Sequence, residues 1–242
     1  MSFTGVLAHT VASYRRNWKM LSFFSLPFAL LFPLSLLLPN FISLSGIFLR
    51  YGSIRSDLSS VEAAFIVLVF LVSLLLFSFA LVGINLVIKS QRTLLKLTHY
   101  EQEKIEAHTL QLFTVFLLLF VASFLANLFL YDYGLTGSVG QVLSLAFSLA
   151  VLFVPQALVM EELGVLNSVK RSLSLCFYRF PSLVLYLLVA SLLVILVSFV
   201  FLQFPDVRVA RYLSVLVNAL LILPFLEVLK AQLYLSKYSL LR

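Results

Sequence analysis

Long runs without a single charged side chain divide this sequence. Five of the runs contain 25 residues or more and a sixth contains 15. They cover residues 20–49, 63–88, 107–131, 133–160, 180–205 and 212–226. A helix needs about 20 mostly apolar residues to cross a bilayer core about 30 Å thick, whereas a soluble helix carries charge on its solvent face. The runs therefore predict an all-α, polytopic membrane protein.

The expected architecture is a single membrane domain over residues 1–242 with six transmembrane helices. The predicted spans cover residues 20–38, 63–88, 109–130, 139–160, 181–203 and 212–233. The composition, 62% hydrophobic and 11% charged, leaves no polar stretch long enough for a separate soluble domain. Residues 41–49 leave two alternatives open: they extend the first span, or they lie on the outer surface of the membrane.

The basic residues predict which side of the membrane each loop faces. With both termini in the cytoplasm, the inner segments hold 13 of the 17 lysines and arginines and the outer loops hold four. Cytoplasmic loops carry this excess of positive charge, so we expect both termini inside the cell and the protein in the cell (inner or plasma) membrane. The net charge of +7 does not indicate nucleic-acid binding, because the basic residues flank the apolar runs, where lipid headgroups account for them.

Two segments outside the spans predict amphipathic helices on the cytoplasmic membrane surface. The first, residues 3–18, places its apolar and aromatic side chains in one arc of about 80°. These are Phe3, Leu7, Val11, Tyr14 and Trp18. An apolar stripe with Trp and Tyr, opposite arginines, suits the headgroup boundary. A core-facing helix of a small soluble cap is the alternative.

The second segment, residues 165–180, leads into span five and has an apolar arc of about 120°. That arc holds Val165, Leu166, Val169, Leu173, Cys176, Phe177 and Phe180. Serines and basic residues fill most of the remaining circumference, and Leu175 is the one strong exception. The basic residues of the two segments are the candidates for contact with anionic lipid or a protein partner. They are Arg15, Arg16, Lys170, Arg171 and Arg179.

Span six predicts a polar cluster inside the membrane. Its charge-free run covers only about 22 Å at 1.5 Å per residue, so the crossing must extend through Glu227 to Lys230. These two residues lie three apart on one helical face, where they can pair. Asn85 of span two and Gln156 of span four lie at the same inner level. Two interpretations stay open: structural pairing between packed helices, or a path for a substrate or ion.

Prolines predict kinks in two of the spans. Pro155 lies in span four and Pro224 lies in span six, at a similar depth. A proline inside a helix removes one backbone hydrogen bond and bends the helix. Such kinks act as hinges or are static, and the sequence leaves both alternatives open.

Enzyme and metal-site patterns are absent from the sequence. It has no GxSxG, GxxxxGK[ST] or HExxH motif, and its single cysteine, Cys176, permits no intramolecular disulfide. One helical face holds His99, Glu103 and Glu106. Lys96 on the same face opposes a cation, so a solvated face is the favoured interpretation. We therefore expect no enzymatic activity, no catalytic residues, no metal and no cofactor.

Residues 154–172, VPQALVMEELGVLNSVKRS, carry a family resemblance. They resemble the pattern P-x-x-x-V-x-E-x-x-G-V-x-x-[AS]-x-K-R-S of a broad family of uncharacterised six-span prokaryotic membrane domains, similar to the membrane domain attached to some glycerophosphodiester phosphodiesterases. Residues 14–21, YRRNWKML, are similar to the start of that group, and Pro224, Tyr234 and residues 241–242 are similar to its end. The resemblance implies an all-helical membrane domain with a cytoplasmic amphipathic helix between spans four and five, and it implies no reaction.

These features favour a non-enzymatic integral membrane protein, an accessory or scaffold subunit that contacts anionic lipid or a partner protein at the cytoplasmic face. The alternative is a transporter or permease subunit with a polar path at the inner-leaflet level. A lipid-modifying enzyme is a third hypothesis, which rests on the position of His99, Glu103 and Glu106 at the membrane surface. The expected partners are the lipid bilayer and a membrane or cytoplasmic protein.

Overall fold

Helices make up almost all of the described chain. The computed structural model describes residues 3–36, 41–44, 46–49, 60–93, 99–134 and 139–236. The helices are α1 (Phe3–Arg16), α2 (Trp18–Leu36), α3 (Ser60–Thr93), α4 (His99–Asp132), α5 (Val139–Val151), α6 (Val154–Met160), α7 (Val165–Tyr178), α8 (Phe180–Phe201), α9 (Val207–Val217) and α10 (Leu223–Leu235). A π-helical turn, Asn218–Ile222, joins α9 to α10.

Five helical segments of the described chain are long and apolar enough to cross a membrane, which is consistent with a multi-pass membrane protein. They are Ala63–Gln91, Lys104–Tyr131, Val139–Met160, Phe180–Phe201 and Tyr212–Leu235. Each of them overlaps one of the predicted spans two to six. The predicted first span corresponds to α2 (Trp18–Leu36), and the part of it with described side chains, Trp18–Leu31, is apolar but shorter than a candidate span. The described chain therefore shows five candidate spans, and the sixth stays a prediction.

Residues 41–49 do not continue α2. They form two antiparallel strands, β1 (Phe41–Leu44) and β2 (Gly46–Leu49), in which Phe41 lies opposite Leu49. Of the two alternatives for this segment, extension of the first helix is therefore wrong. The sequence contains a reason, since Pro39 precedes the segment and a proline disfavours helical backbone at the residue before it.

Spans four and six are each interrupted near a proline. In span four, α5 ends at Val151 and α6 begins at Val154, with Pro155 in the first turn of α6. In span six, the π-turn ends immediately before Leu223, and Pro224 occupies the first turn of α10. Both prolines thus lie where the regular α-helical hydrogen bonding is broken, because proline has no N–H to donate.

The most tightly packed part of the core lies where the second half of α3 meets α6 and α10. Ile84 and Ile88 of α3, Leu158 of α6 and Val228 of α10 are fully buried there, together with Leu21 of α2. The short helix α1 packs on α10, and α7 packs on α5 and α6. Arg179 and Ser236, hydrogen-bonded to each other, bring the ends of α7 and α10 together. This end of the bundle is therefore rigidly assembled from many elements.

Large apolar side chains stay exposed toward the other end of the bundle. Leu68 of α3 is 59% exposed, Leu125 of α4 is 58% exposed and Ile195 of α8 is 66% exposed. Such extended apolar surface is unfavourable in water, whereas lipid chains are as apolar as leucine. The exposed side chains therefore fit a bundle that is surrounded by hydrocarbon.

Candidate functional site

The four residues of the predicted polar cluster meet in the structure. The carboxylate oxygen Oε1 of Glu227 accepts hydrogen bonds from Nδ2 of Asn85 at 2.8 Å and from Nε2 of Gln156 at 2.6 Å. The second oxygen, Oε2, lies 2.5 Å from Nζ of Lys230. We call these four residues the Glu227 network. It joins three separate elements, α3, α6 and α10.

The interruption of span four contributes directly to this network. Leu152 lies in the break between α5 and α6, and its carbonyl oxygen accepts a hydrogen bond from Nζ of Lys230 at 3.4 Å. A continuous α-helix would use such a carbonyl within the helix. The break also starts α6 at Val154, which places Gln156 in the first turn, facing α10. Sequence reasoning identified Gln156 but not the Leu152 carbonyl, since a backbone group has no sequence signal.

The Glu227 network is buried and electrically balanced. Asn85 and Gln156 are 0% exposed, Glu227 is 2% exposed and Lys230 is 5% exposed. A buried charge is costly unless it is paired and hydrogen-bonded, and here one carboxylate and one ammonium compensate each other. Two amide donors and a backbone carbonyl add further hydrogen bonds to the pair. The arrangement can hold three helices in register, and it contains no nucleophile or acid–base pair open to a substrate.

Three buried oxygens near this network have no hydrogen-bond partner among the described residues. They are Oδ1 of Asn85, Oε1 of Gln156 and the hydroxyl of Tyr186. Tyr186 of α8 is 1% exposed and interacts electrostatically with Glu227. Buried polar atoms of this kind are usually satisfied by ordered water. Sequence reasoning missed Tyr186, although a tyrosine in an otherwise apolar span is a usable signal.

A second charged cluster lies at the ends of spans two and three. Glu162, in the connection between α6 and α7, accepts hydrogen bonds from Nζ of Lys89 at 2.7 Å and from Nζ of Lys104 at 2.8 Å. These hydrogen bonds, the one from Lys104 first, lower the pKa of the Glu162 carboxyl to about 2. We call these three residues the Glu162 cluster. Sequence analysis missed it, because its members are 58 and 73 residues apart along the chain.

The predicted lipid-contact residues divide into two groups. Arg171 lies 3.3 Å from Oε1 of Glu161, which also accepts a hydrogen bond from the hydroxyl of Tyr234. Arg179 donates to the hydroxyl of Ser236 at 2.5 Å. These two arginines therefore bind other parts of the protein. Arg15, Arg16 and Lys170 have exposed side chains.

The structure shows which side of α7 packs on the rest of the protein. Ser168 and Ser172, expected on the polar side, are buried, and so is Leu175, the exception in the predicted pattern. Leu166 and Phe177, expected in the apolar arc, are 74% and 80% exposed. The side of α7 that packs on the protein therefore includes small polar side chains, and the contact of its apolar arc with the membrane surface stays a prediction. Serines are small and allow α7 to approach α5 and α6 closely, and the hydroxyl of Ser172 accepts a hydrogen bond from the Phe153 N–H at 3.0 Å.

In α1, too, the side that packs on the protein differs from the predicted apolar arc. Val6 and Thr10 are buried, while Val11 is 43% exposed and Trp18, just beyond the helix, is 57% exposed. The hydroxyl of Tyr14 donates to the carbonyl oxygen of Leu221 in the π-turn at 3.4 Å. In both helices, one side contacts the protein and part of the predicted apolar arc beside it stays uncovered.

The predicted surface face on α4 offers no metal site in the described structure. The side chains of His99 and Glu103 lie outside the described residues, and Glu106 is exposed. Among the described side chains, no group of three or more histidine, cysteine, aspartate or glutamate residues converges as metal ligands would. The favoured interpretation of this face as a solvated surface stays a prediction.

The described chain is a helical protein, consistent with a multi-pass membrane protein, in which a buried charge pair joins three elements. Comparisons of this chain with protein-family models, with curated proteins and with solved structures find no match. The resemblance of residues 154–172 to prokaryotic six-span membrane domains therefore stays a prediction.

Proposed function

We propose that this chain is a non-enzymatic, six-span protein of the cell membrane, with both termini in the cytoplasm, and that it is an accessory or scaffold subunit. In this proposal α1 and α7 lie on the cytoplasmic membrane surface and contact anionic lipid. The observation that carries the proposal is shared by the two helices: each has exposed apolar side chains directly beside exposed cationic ones. Such a surface suits the boundary between acyl chains and headgroups.

The angular positions of these residues support an interfacial arrangement. On α7, Leu166, Phe177 and Lys170 fall within about 40° of one another at about 100° per residue. Along α1 and into Trp18, the exposed Val11, Trp18 and Arg15 fall within about 60°. A long basic side chain can lie along lipid and reach the phosphate level with its charged end. Each basic residue near an anionic surface contributes about 1 kcal/mol to attraction.

The direct test removes the exposed charges and measures the lipids retained by the purified protein. The triple variant R15Q/R16Q/K170Q should retain less phosphatidylglycerol than the wild type, while phosphatidylcholine retention stays unchanged. The matched control is R55Q/R208Q/R211Q, which removes the same charge from the predicted outer loops. Equal loss of phosphatidylglycerol in both triple variants would contradict the proposal. Unchanged lipid retention combined with loss of a defined co-purifying subunit would favour a protein partner instead.

The proposed sidedness has its own test. Reporter tags at the N- and C-termini should both be accessible only from the cytoplasm, as expected for an even number of spans. A terminus found outside the cell would remove the proposed cytoplasmic position of α1. The same experiment with a tag in residues 50–59 should report the outer side.

A transporter or permease subunit is the second candidate function. The three unpartnered buried oxygens beside Glu227 favour it, because they could accept hydrogen bonds from water or a polar solute. The near-complete burial and mutual pairing of the Glu227 network favour the structural role. Glu227→Gln and Gln156→Ala should abolish solute flux without unfolding the protein if transport is correct. Normal flux in both variants would exclude a path through this network.

A further inference from the structure

Two lysines from consecutive helices converge on one carboxylate in the Glu162 cluster. Oε1 of Glu162 lies 2.7 Å from Nζ of Lys89 and 2.8 Å from Nζ of Lys104, so the two ammonium groups are at most about 5.5 Å apart (2.7 plus 2.8). Lys104 also donates to Oε2 at 2.8 Å. Two ammonium groups at this spacing form a binding geometry that suits a small anion with several oxygens.

The Glu162 cluster lies at the depth where lipid headgroups are expected. Lys89 lies near the end of the candidate span Ala63–Gln91, and Lys104 is the first residue of the candidate span Lys104–Tyr131. Consecutive spans that pack side by side, as α3 and α4 do, have these two ends at the same membrane surface. The side chains are also accessible, at 20% exposure for Lys89, 26% for Lys104 and 46% for Glu162.

The residue that carries the carboxylate, Glu162, has an unfavourable backbone conformation. Glu162 has φ 54°, the only positive φ of a non-glycine residue in the described chain. A residue with a Cβ atom adopts this left-handed region at a cost, and such residues concentrate at functional positions. Release of Glu162 from the lysines would allow the connection between α6 and α7 to relax. Lys89 would keep an anchor, because it also donates to the carbonyl oxygen of Val159 at 2.8 Å.

We propose that Lys89 and Lys104 form a binding site for the phosphate of an anionic phospholipid headgroup, and that Glu162 occupies this site as an internal competitor. This inference rests on the proposed lipid contact and names a specific site for it. The phosphodiester offers two charged non-bridging oxygens to the same two ammonium groups, as the carboxylate does, together with two weaker ester oxygens. Exchange of one anion for the other requires no covalent step and leaves both lysines paired.

Removal of the competitor should strengthen lipid binding. We expect Glu162→Gln to raise the affinity of the detergent-solubilised full chain for phosphatidylglycerol about tenfold, which corresponds to about 1.4 kcal/mol. The measurement is titration with phosphatidylglycerol or phosphatidylcholine, read by native mass spectrometry. Glu106→Gln is the matched control, because it removes the same charge from an exposed side chain of α4 outside the cluster. Equal affinity of Glu162→Gln and wild type would overturn the inference.

Removal of the lysines should have the opposite effect. K89Q/K104Q should lose the high-affinity phosphatidylglycerol class, also when combined with Glu162→Gln, so that the E162Q/K89Q/K104Q protein binds no better than wild type. A lipid affinity of K89Q/K104Q equal to that of the wild type would refute the site. Gel filtration and circular dichroism of each variant establish that it is folded before binding is compared.

Two further measurements complete the test. The first distinguishes a lipid phosphate from a soluble one, and the second distinguishes failure of this inference from failure of the proposed function. Inorganic phosphate at millimolar concentration should not displace phosphatidylglycerol from Glu162→Gln, and complete displacement would assign the site to a soluble anion instead. A loss of lipid in R15Q/R16Q/K170Q with no gain in Glu162→Gln would support the proposed function and overturn this inference. A gain in lipid affinity in Glu162→Gln, with no loss of lipid in R15Q/R16Q/K170Q, would support this inference and contradict the proposed function.

Discussion

Glu227 and Lys230 form a salt bridge of 2.5 Å within one helix, with side chains that are only 3% and 6% exposed. Their spacing of three residues places both on one face of α10, so the pair forms without any tertiary contact. Tertiary contacts then complete it, because Asn85 and Gln156 reach the carboxylate from two other helices. The packing of α3, α6 and α10 against one another therefore depends on the charges of Glu227 and Lys230.

The first prediction concerns the energy of this pair. Glu227→Gln leaves the Lys230 ammonium buried without a counter-charge, and we expect a loss of about 3 kcal/mol in the free energy of unfolding. Lys230→Met should lower the free energy of unfolding by a similar amount, because it leaves the Glu227 carboxylate buried without a counter-charge. The double variant E227Q/K230M should cost clearly less than the sum, since neither charge is then left unpaired. SDS-titration unfolding of the four proteins measures this cycle, and additive costs would show that the pair is not coupled.

The second prediction concerns the contact between α7 and the break in span four. Ser172→Ala removes the acceptor of the Phe153 N–H, and a buried donor without a partner costs about 1–2 kcal/mol. Ser174→Ala on the same helix is the control, because Ser174 is exposed. We expect it to change the free energy of unfolding by less than about 0.5 kcal/mol. Equal stability of the two variants would contradict the role of Ser172.

The third prediction concerns pH. The pKa of Glu162 is lowered from 4.5 to about 2 by its lysine partners, so in this range the unfolded chain binds the proton more readily than the folded one. The stabilisation from Glu162 is therefore fully present above about pH 4.5 and is lost as the pH falls toward 2. Because the side chain is 46% exposed, solvent screening limits the effect to about 1 kcal/mol.

The difference between wild type and Glu162→Gln isolates this contribution from other acid-sensitive groups. Thermal unfolding of both proteins at several pH values should show a wild-type advantage at pH 6 that shrinks steadily below pH 4.5. A difference that is independent of pH would show that the Glu162 carboxylate is not selectively stabilised in the folded state.

The fourth prediction concerns the contact between α2 and α3. A Cβ atom added at Gly83 would lie 2.1 Å from Cδ1 of Phe24, so Gly83→Ala forces the phenyl ring to move. We expect a loss of about 1–3 kcal/mol, larger than the small gain in helix propensity from alanine. Gly164→Ala is the control, since an added Cβ there meets nothing within 4 Å. Combining Gly83→Ala with Phe24→Leu should recover part of the lost stability.

The candidate spans were largely predictable because they depend on one property, a long run of residues without charge. The charge-free run of residues 180–205 corresponds to α8 (Phe180–Phe201), and that of residues 63–88 lies within α3. A hydrocarbon layer excludes unpaired charge, so the ends of these two runs lie close to the ends of the candidate spans. The last candidate span extends past its run, because Glu227 and Lys230 are paired. The exact residues of the interruptions at Pro155 and at the π-turn before Pro224 are not contained in a hydropathy pattern, because these breaks alter backbone hydrogen bonding without altering the apolar character of the spans.

The candidate site was predictable only in part. Glu227, Lys230, Asn85 and Gln156 could be named because polar side chains at one membrane depth must find each other. The Glu162 cluster could not, since it depends on the approach of three chain segments after folding. The side of α7 that packs on the protein could not be predicted, because an arc of apolar residues can face either lipid or protein in a membrane protein. Phe177 faces outward, whereas Ser172 packs inward, which reverses the rule for soluble helices.

The π-turn Asn218–Ile222 determines the rotational phase of everything that follows it in the last span. A turn of this kind holds one residue more than an α-helical turn, so later side chains are rotated by about 100° relative to an uninterrupted helix. Glu227 points at Asn85 and Gln156 in that phase. A chain shortened by a single residue between 218 and 222 would swing the carboxylate about a quarter of a revolution away from both amides and bring a different side of α10 against α3.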